Sequence, residues 1–233
     1  IRDRMRTSII EVDLKNIRYN LNLIRNHTNN VPIMAVVKAN AYGHGLSRIG
    51  LFFEKLGVNS LGVALLEEGI LLRRSGVKIP ILIFGGMTGN QIYECIRSNL
   101  EFFITSTDNL RLVEKICKSL SQKAIINLKL DSGMGRIGAS TEDSEYFIKE
   151  ATKSNYINVK GVSSHLACAD DPKNPFTLRQ IERFMKAVSV FEEMGIETPI
   201  RHIANSGGVL YFPQTHLDMI RPGISLYGVY PDC

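Results

Sequence analysis

Eight short β-rich runs constrain what this 233-residue chain can fold into: 33–38 (IMAVVK), 60–65 (SLGVAL), 80–85 (PILIFG), 101–105 (EFFIT), 124–131 (AIINLKLD), 159–167 (VKGVSSHLA), 200–206 (IRHIANS) and 217–224 (LDMIRPGI). The segments between them carry helical periodicity or helix-start signals. Leu14, Ile17, Leu21 and Ile24 repeat at intervals of three and four, residues 182–195 (ERFMKAVSVFEEMG) do the same, and Ser and Thr caps precede acidic first turns in 106–120 and 140–151. Strands alternating with helices, without a Pro/Gly/Ser-rich linker, predict parallel βαβ units. Eight such units in a chain of this length fit one domain, residues 1–233, with the α/β fold of a (β/α)8 TIM-type barrel. A doubly wound open sheet is the structural alternative. The segment SIIEVDL reads as an opening strand, and the short link after 200–206 gives its helix the weakest signal of the set.

A hydrophobic fraction of 44% is ordinary for a chain that buries a core. The net charge of +5 suits anionic ligands, but the basic residues are scattered and form no nucleic-acid or membrane patch. Cys95, Cys117, Cys168 and Cys233 are far apart and form no C-x-x-C pair, so they read as free thiols of a cytoplasmic protein rather than zinc ligands or disulfides. His27, His44, His202 and His216 have no metal-ligand spacing, and no metal site is predicted. The first ten residues lack the apolar core of a signal peptide, and no apolar run reaches the ~18 residues that a membrane span needs. A start at Ile1 and a stop at YPDC read as a piece of something longer.

In a barrel the active site lies at the C-terminal ends of the strands, so the polar residues that close each run converge on one mouth. Here they are Lys38 and Tyr42; Lys129, Asp131 and Arg136; His165; Asn205 and Ser206; and Arg221 with Gly223. Most are cationic or hydroxyl-bearing, as an anionic ligand requires. Each one alone would pass for a capping or loop residue on a solvated face. Lys38 is the least expected, because it closes the apolar run 33–37, and lysine is seldom buried without a partner.

The segments AVVKANAYGHG, KLDSGMGRIG, SSHLACAD, HIANSGG and RPGISLYGVYP resemble, in order and spacing, the signatures of the alanine racemases. These are pyridoxal-phosphate enzymes with an N-terminal (β/α)8 barrel and a C-terminal β-domain, and the latter has no counterpart in this sequence. The resemblance implies a racemase that interconverts L- and D-alanine, or acts on serine, by exchanging the α-proton between two bases. It would supply D-amino acid for peptidoglycan. The resemblance also implies pyridoxal 5'-phosphate as cofactor, a small amino-acid substrate and a homodimer whose neighbouring subunit contributes the second base, a tyrosine.

The roles implied follow the motifs. Lys38 would form the Schiff base, helped by an apolar setting that makes its neutral amine easier to reach. Tyr42, Ser206 and the backbone N–H groups of Gly223 and Ile224 would hold the phosphate, with Asn205 beside them. Arg221 would face the pyridine nitrogen and leave it unprotonated, which weakens the electron sink and suits return of the proton to the α-carbon. His165 would bond Arg221. Arg136 would lie near the cofactor's phenolic oxygen, and Lys129 would become an anion by carbamylation, or meet a bridging anion, to avoid repelling Arg136. Barrel decarboxylases share the KAN setting but place a carboxylate where this sequence has Arg221. A non-enzymatic single-barrel carrier of pyridoxal phosphate is the alternative from another class.

Overall fold

A computed structural model describes residues 9–231, and Cys233 and Ser8 lie outside them. A single parallel ring forms in the order β1 (Met34–Val36), β2 (Ser60–Val63), β3 (Ile81–Ile83), β4 (Glu101–Ile104), β5 (Ala124–Asp131), β7 (Ile157–Ser163) and β8 (Ile200–His202). A two-residue strand, β6 (Ala139–Ser140), pairs with β5 outside the ring. Alternate strand residues divide two cores, as a period of two dictates. One set packs under the helices, while Met34, Leu82, Phe103 and Met219 form a smaller cluster of their own, the plug of the barrel.

The eighth run closes the ring without being a strand. Met34 N–H donates to Ile220 O (2.9 Å), Val36 N–H to Pro222 O (3.0 Å), and on the other side Arg221 N–H to Ala204 O (3.0 Å). Pro222 has no N–H to extend a ladder, and Leu217 takes a positive φ of 47°, so the predicted strand 217–224 reduces to a bridge between Ile33 and Ile220. The opening strand is also absent among the described residues: Ile9 and Ile10 are exposed, and Asp13 caps the first helix, Leu14–His27, by accepting from Lys15 N–H at 2.7 Å. That helix buries Ile17, Leu21 and Ile24, as its spacing predicts.

Ser106 caps Thr107–Leu120 through Asn109 N–H. The cap predicted at Ser140 and Thr141 does not form. The helix starts at Ser144, and Ser140 belongs to β6 instead. Residues 182–193 fall in Phe176–Val188 and Val190–Glu193, which meet at Ser189, and the weakly marked helix after β8 is Ser206–Tyr211. No helix among the described residues is long and apolar enough to cross a membrane.

Candidate active site at the barrel mouth

One cavity of about 600 Å³ opens at the C-terminal ends of the strands, and all ten residues predicted to act line it: Lys38, Tyr42, Lys129, Arg136, His165, Asn205, Ser206, Arg221, Gly223 and Ile224. Asp131 does not line it. Its carboxylate instead accepts from Gly133 N–H (2.9 Å) and Arg136 N–H (3.1 Å), which folds the loop that presents Arg136.

The chain leaves β1 through an unusual turn. Ala39, Asn40, Ala41 and Tyr42 all sit at φ between 52° and 54°, a left-handed stretch that costs about 1–2 kcal/mol per non-glycine residue. Gly43 and Gly45 were expected to allow the turn, yet most of it is carried by residues with side chains. Glu68 holds it: one oxygen accepts from Ala39 N–H (2.6 Å), the other from Ala64 N–H (2.8 Å) and Leu65 N–H (3.1 Å). Strain of this kind persists only where the surroundings over-determine it, and it clusters at functional sites. The turn places Lys38 on the cavity wall. Burial and, next, the Arg136 charge lower its pKa, while Glu68 opposes them.

Ser206 anchors the opposite wall. Its hydroxyl oxygen accepts from Gly223 N–H (2.9 Å), Ser225 Oγ–H (3.0 Å) and Ser225 N–H (3.3 Å). A hydroxyl has two lone pairs and one proton, so donors fill its acceptor side and its own proton is left to donate elsewhere. Gly223 N–H, expected to face a phosphate, is thus already engaged, while Ile224 N–H finds no protein acceptor among the described residues. A Cβ on Gly223 would lie 2.5 Å from the Tyr42 hydroxyl, so glycine is what lets that hydroxyl close on the 206–223 backbone. Burial raises the Tyr42 pKa and keeps it a phenol. Asn205 acts locally, accepting from Gly208 N–H (3.0 Å) and donating to Leu166 O (3.1 Å).

Arg221 is 5% exposed and donates to Ser164 O (2.8 Å), Ile203 O (3.3 Å), His202 O and His202 Nδ1 (2.9 Å). Its expected partner, His165, makes no hydrogen bond to it. The backbone turns His165 toward the cavity, and its carbonyl is held by Gln180 (3.1 Å). Burial and then the charges of Arg221, Lys129, Arg136 and Lys38 press its pKa down to about 2, so the ring is neutral. His202 takes the partner's place. It escaped the sequence reading because it is the last residue of β8, inside the run rather than beyond it, and only the tertiary fold brings it to Arg221. Lys129, 5% exposed, donates among the described residues only to Leu130 O (3.4 Å), with its Nζ 5.8 Å from the centre of the Phe103 ring. Burial and the neighbouring Arg221 push its pKa well below the ordinary value.

Four cationic side chains, Lys38, Lys129, Arg136 and Arg221, thus share one cavity, and among the described residues no carboxylate is bonded to any of their charged ends. A parallel barrel whose mouth carries a strand-end lysine, further cationic side chains and a hydroxyl-lined wall has the charge and donors that suit an anionic ligand. The model of the family "Alanine racemase, N-terminal domain" matches residues 12–231, and the chain belongs to that family. It is 39% identical to the alanine racemase of Desulforamulus reducens over 223 residues, which is 95% of this chain and 60% of that one. The Methanococcus maripaludis alanine racemase is 38% identical over the same shares. Among solved structures, the alanine racemase of Clostridium difficile superposes with a TM-score of 0.92 at 34% identity, covering 97% of this chain and 61% of that one. The chain therefore spans about 60% of the length of the relatives it matches.

Proposed function

We propose that residues 1–233 are the cofactor-binding barrel of a cytoplasmic pyridoxal-phosphate-dependent racemase that interconverts L- and D-alanine, working as a homodimer. The observation that carries this reading is the Ser206 hydroxyl, whose acceptor side is saturated and whose proton is left to donate, in a cavity lined by four cationic side chains and one carboxylate, Asp170. Pyridoxal phosphate fits that donor set: a phosphate needs hydrogen-bond donors and positive charge, and its aldehyde needs an amine with a lowered pKa. When bound, it would supply an electron sink that acidifies the substrate α-hydrogen.

This chain's residues divide the work. Ser206, Tyr42 and the Ile224 N–H hold the phosphate. Lys38 Nζ would remove or return the substrate α-proton on one face. Arg221, fixed on carbonyls and His202 Nδ1, would donate a hydrogen bond to the ring nitrogen while keeping its own proton, and so would keep the sink weak. A carboxylate there would do the opposite, which argues against a decarboxylase. Burial and Arg221 already disfavour the charged form of Lys129, and its carbamate, or a bound anion, would turn the remaining repulsion with Arg136 into attraction. The other face takes its proton from a tyrosine of the neighbouring subunit.

The test is borohydride reduction of the cofactor-loaded protein followed by peptide mapping. Pyridoxyl label on Lys38 is the expected result, and label on Lys129 or none at all would overturn the assignment.

A further inference from the structure

Behind Arg221 a line of buried polar groups runs down the inside of the barrel. His202 Nε2 is 2.9 Å from Asn127 Oδ1, Asn127 Nδ2 is 3.4 Å from Glu101 Oε2, and Glu101 Oε1 pairs with Lys160. His202, Asn127 and Glu101 are 0%, 4% and 6% exposed, so none can exchange these partners for water.

The backbone is shaped around this line. The β5–β7 ladder shifts register between Ile126 and Asn127, pairing them with Val159 and Gly161, and the residue left over is Lys160. A bulge of this kind re-aims a side chain, and here the extra residue is the one that reaches Glu101. A Cβ on Gly161 would lie 2.1 Å from Asn127 Oδ1 and 3.1 Å from His202 Nε2, so the hydrogen bond between them needs a glycine there.

The chemistry of the two ends allows one polarity. Arg221 can only donate, so His202 Nδ1 must be a bare lone pair and the ring proton must sit on Nε2. That proton needs an acceptor, which is Asn127 Oδ1. The Asn127 amide then turns its NH₂ to the Glu101 carboxylate, which can only accept and is itself paired with Lys160. We propose that Asn127, Glu101 and Lys160 are positioning residues for Arg221: they hold His202 as the Nε2–H tautomer, which keeps Nδ1 an acceptor for the guanidinium. Without them the proton can move to Nδ1, where an N–H would confront the guanidinium and displace it. This rests on the reading that Arg221 faces the ring nitrogen of bound pyridoxal phosphate.

The tautomer is read by long-range ¹H–¹⁵N correlation on histidine-labelled protein, with and without cofactor, and His202 is assigned by its loss in His202→Gln. In the holoenzyme we expect an unprotonated Nδ1 and a protonated Nε2. Asn127→Leu should move the proton to Nδ1 or mix the two forms, change the absorbance of the bound cofactor, and lower kcat by about 10- to 100-fold with KM little changed, as a misplaced catalytic group does. Glu101→Gln, whose amide can present either polarity, should lose less. Asn127→Asp combined with Glu101→Gln swaps carboxylate and amide while keeping an acceptor at Nε2, and it should restore the tautomer and recover most of the lost kcat.

A proton on Nδ1 in the parent protein overturns the proposal. So does a tautomer and kcat unchanged in Asn127→Leu, or a double variant as slow as Asn127→Leu; if Asn127→Leu fails to fold, Glu101→Gln and the double variant decide alone. If instead the protein takes no pyridoxal phosphate, the functional reading fails while the tautomer assignment, read without cofactor, still stands or falls by itself.

Discussion

Ser206→Ala tests the phosphate cradle by separating two quantities that the hydroxyl links. In the cofactor-free protein the substitution removes the acceptor for the buried Gly223 N–H and for Ser225. Leaving one buried donor unsatisfied costs about 1–3 kcal/mol, and the longer 3.3 Å bond from Ser225 N–H adds little. In the loaded protein the Ser206 proton would donate to a charged phosphate oxygen, a bond of about 1.5–3 kcal/mol. At 1.4 kcal/mol per factor of ten this predicts roughly 10- to 150-fold weaker binding of pyridoxal phosphate. Urea denaturation of the cofactor-free variant measures the first quantity, and an absorbance titration with pyridoxal phosphate measures the second. A variant that loses stability but keeps its affinity would show that the proton points elsewhere, and the reasoning about the saturated acceptor side would be wrong.

The buried histidines set a pH dependence. His165 is pushed to about 2 and His202 well below its ordinary value, so between those values and about 6.5 the unfolded chain binds protons that the folded one refuses. Stability is present in full above pH 6.5 and is lost as the pH falls, by up to about 1.4 kcal/mol per pH unit for each ring. His165→Gln should flatten the acid limb of a denaturation series by about one such slope, and an unchanged limb would refute it. Glu68→Ala strands the N–H groups of Ala39, Ala64 and Leu65, and should cost about 1.5–3 kcal/mol in urea denaturation while weakening cofactor binding as the Lys38 turn relaxes. Inorganic phosphate at 100 times its Kd should raise the unfolding free energy of the cofactor-free protein by about 2.7 kcal/mol. The rise should shrink in Ser206→Ala at the same phosphate concentration, and equal protection of both proteins would place the anion elsewhere.

What the sequence disclosed follows from where each signal is written. Apolar runs ended by a polar residue are local, so nine of the ten cavity residues could be read from the strand ends, with Asp131 the one that turns away and Ile224 supplied by the family resemblance alone. Lys38 stood out because it closes the apolar run 33–37, where a lysine without a partner is seldom buried. The closure at 220–222 was misread because Met219 and Ile220 look like strand residues, while the proline that stops the ladder sits within the same few positions. Ile9 and Ile10 looked like strand residues for the same compositional reason and are exposed. Two features had no local signature. The left-handed turn is carried by Ala39, Asn40, Ala41 and Tyr42, where glycine would ordinarily announce it. The Arg221–His202 contact spans nineteen positions and exists only because β8 and the closing segment lie side by side.

Those two features share a physical logic. Four residues in the left-handed region cost about 4–8 kcal/mol in all, by the usual penalty for each. Lys129, Arg136, Arg221 and Lys38 add the repulsion of like charges around one cavity, two of them 5% exposed. A fold retains such terms where the rest of the molecule offsets them, and here Glu68 braces the turn while four acceptors from two strand ends fix Arg221. What the protein itself does not offset is the excess positive charge. An anion entering this cavity meets donors already aimed and two cations, Lys129 and Arg221, already desolvated, so less of its binding energy goes into ordering the site. The same arrangement excludes a rigid apolar ligand of equal size, which would leave every one of those charges unmatched.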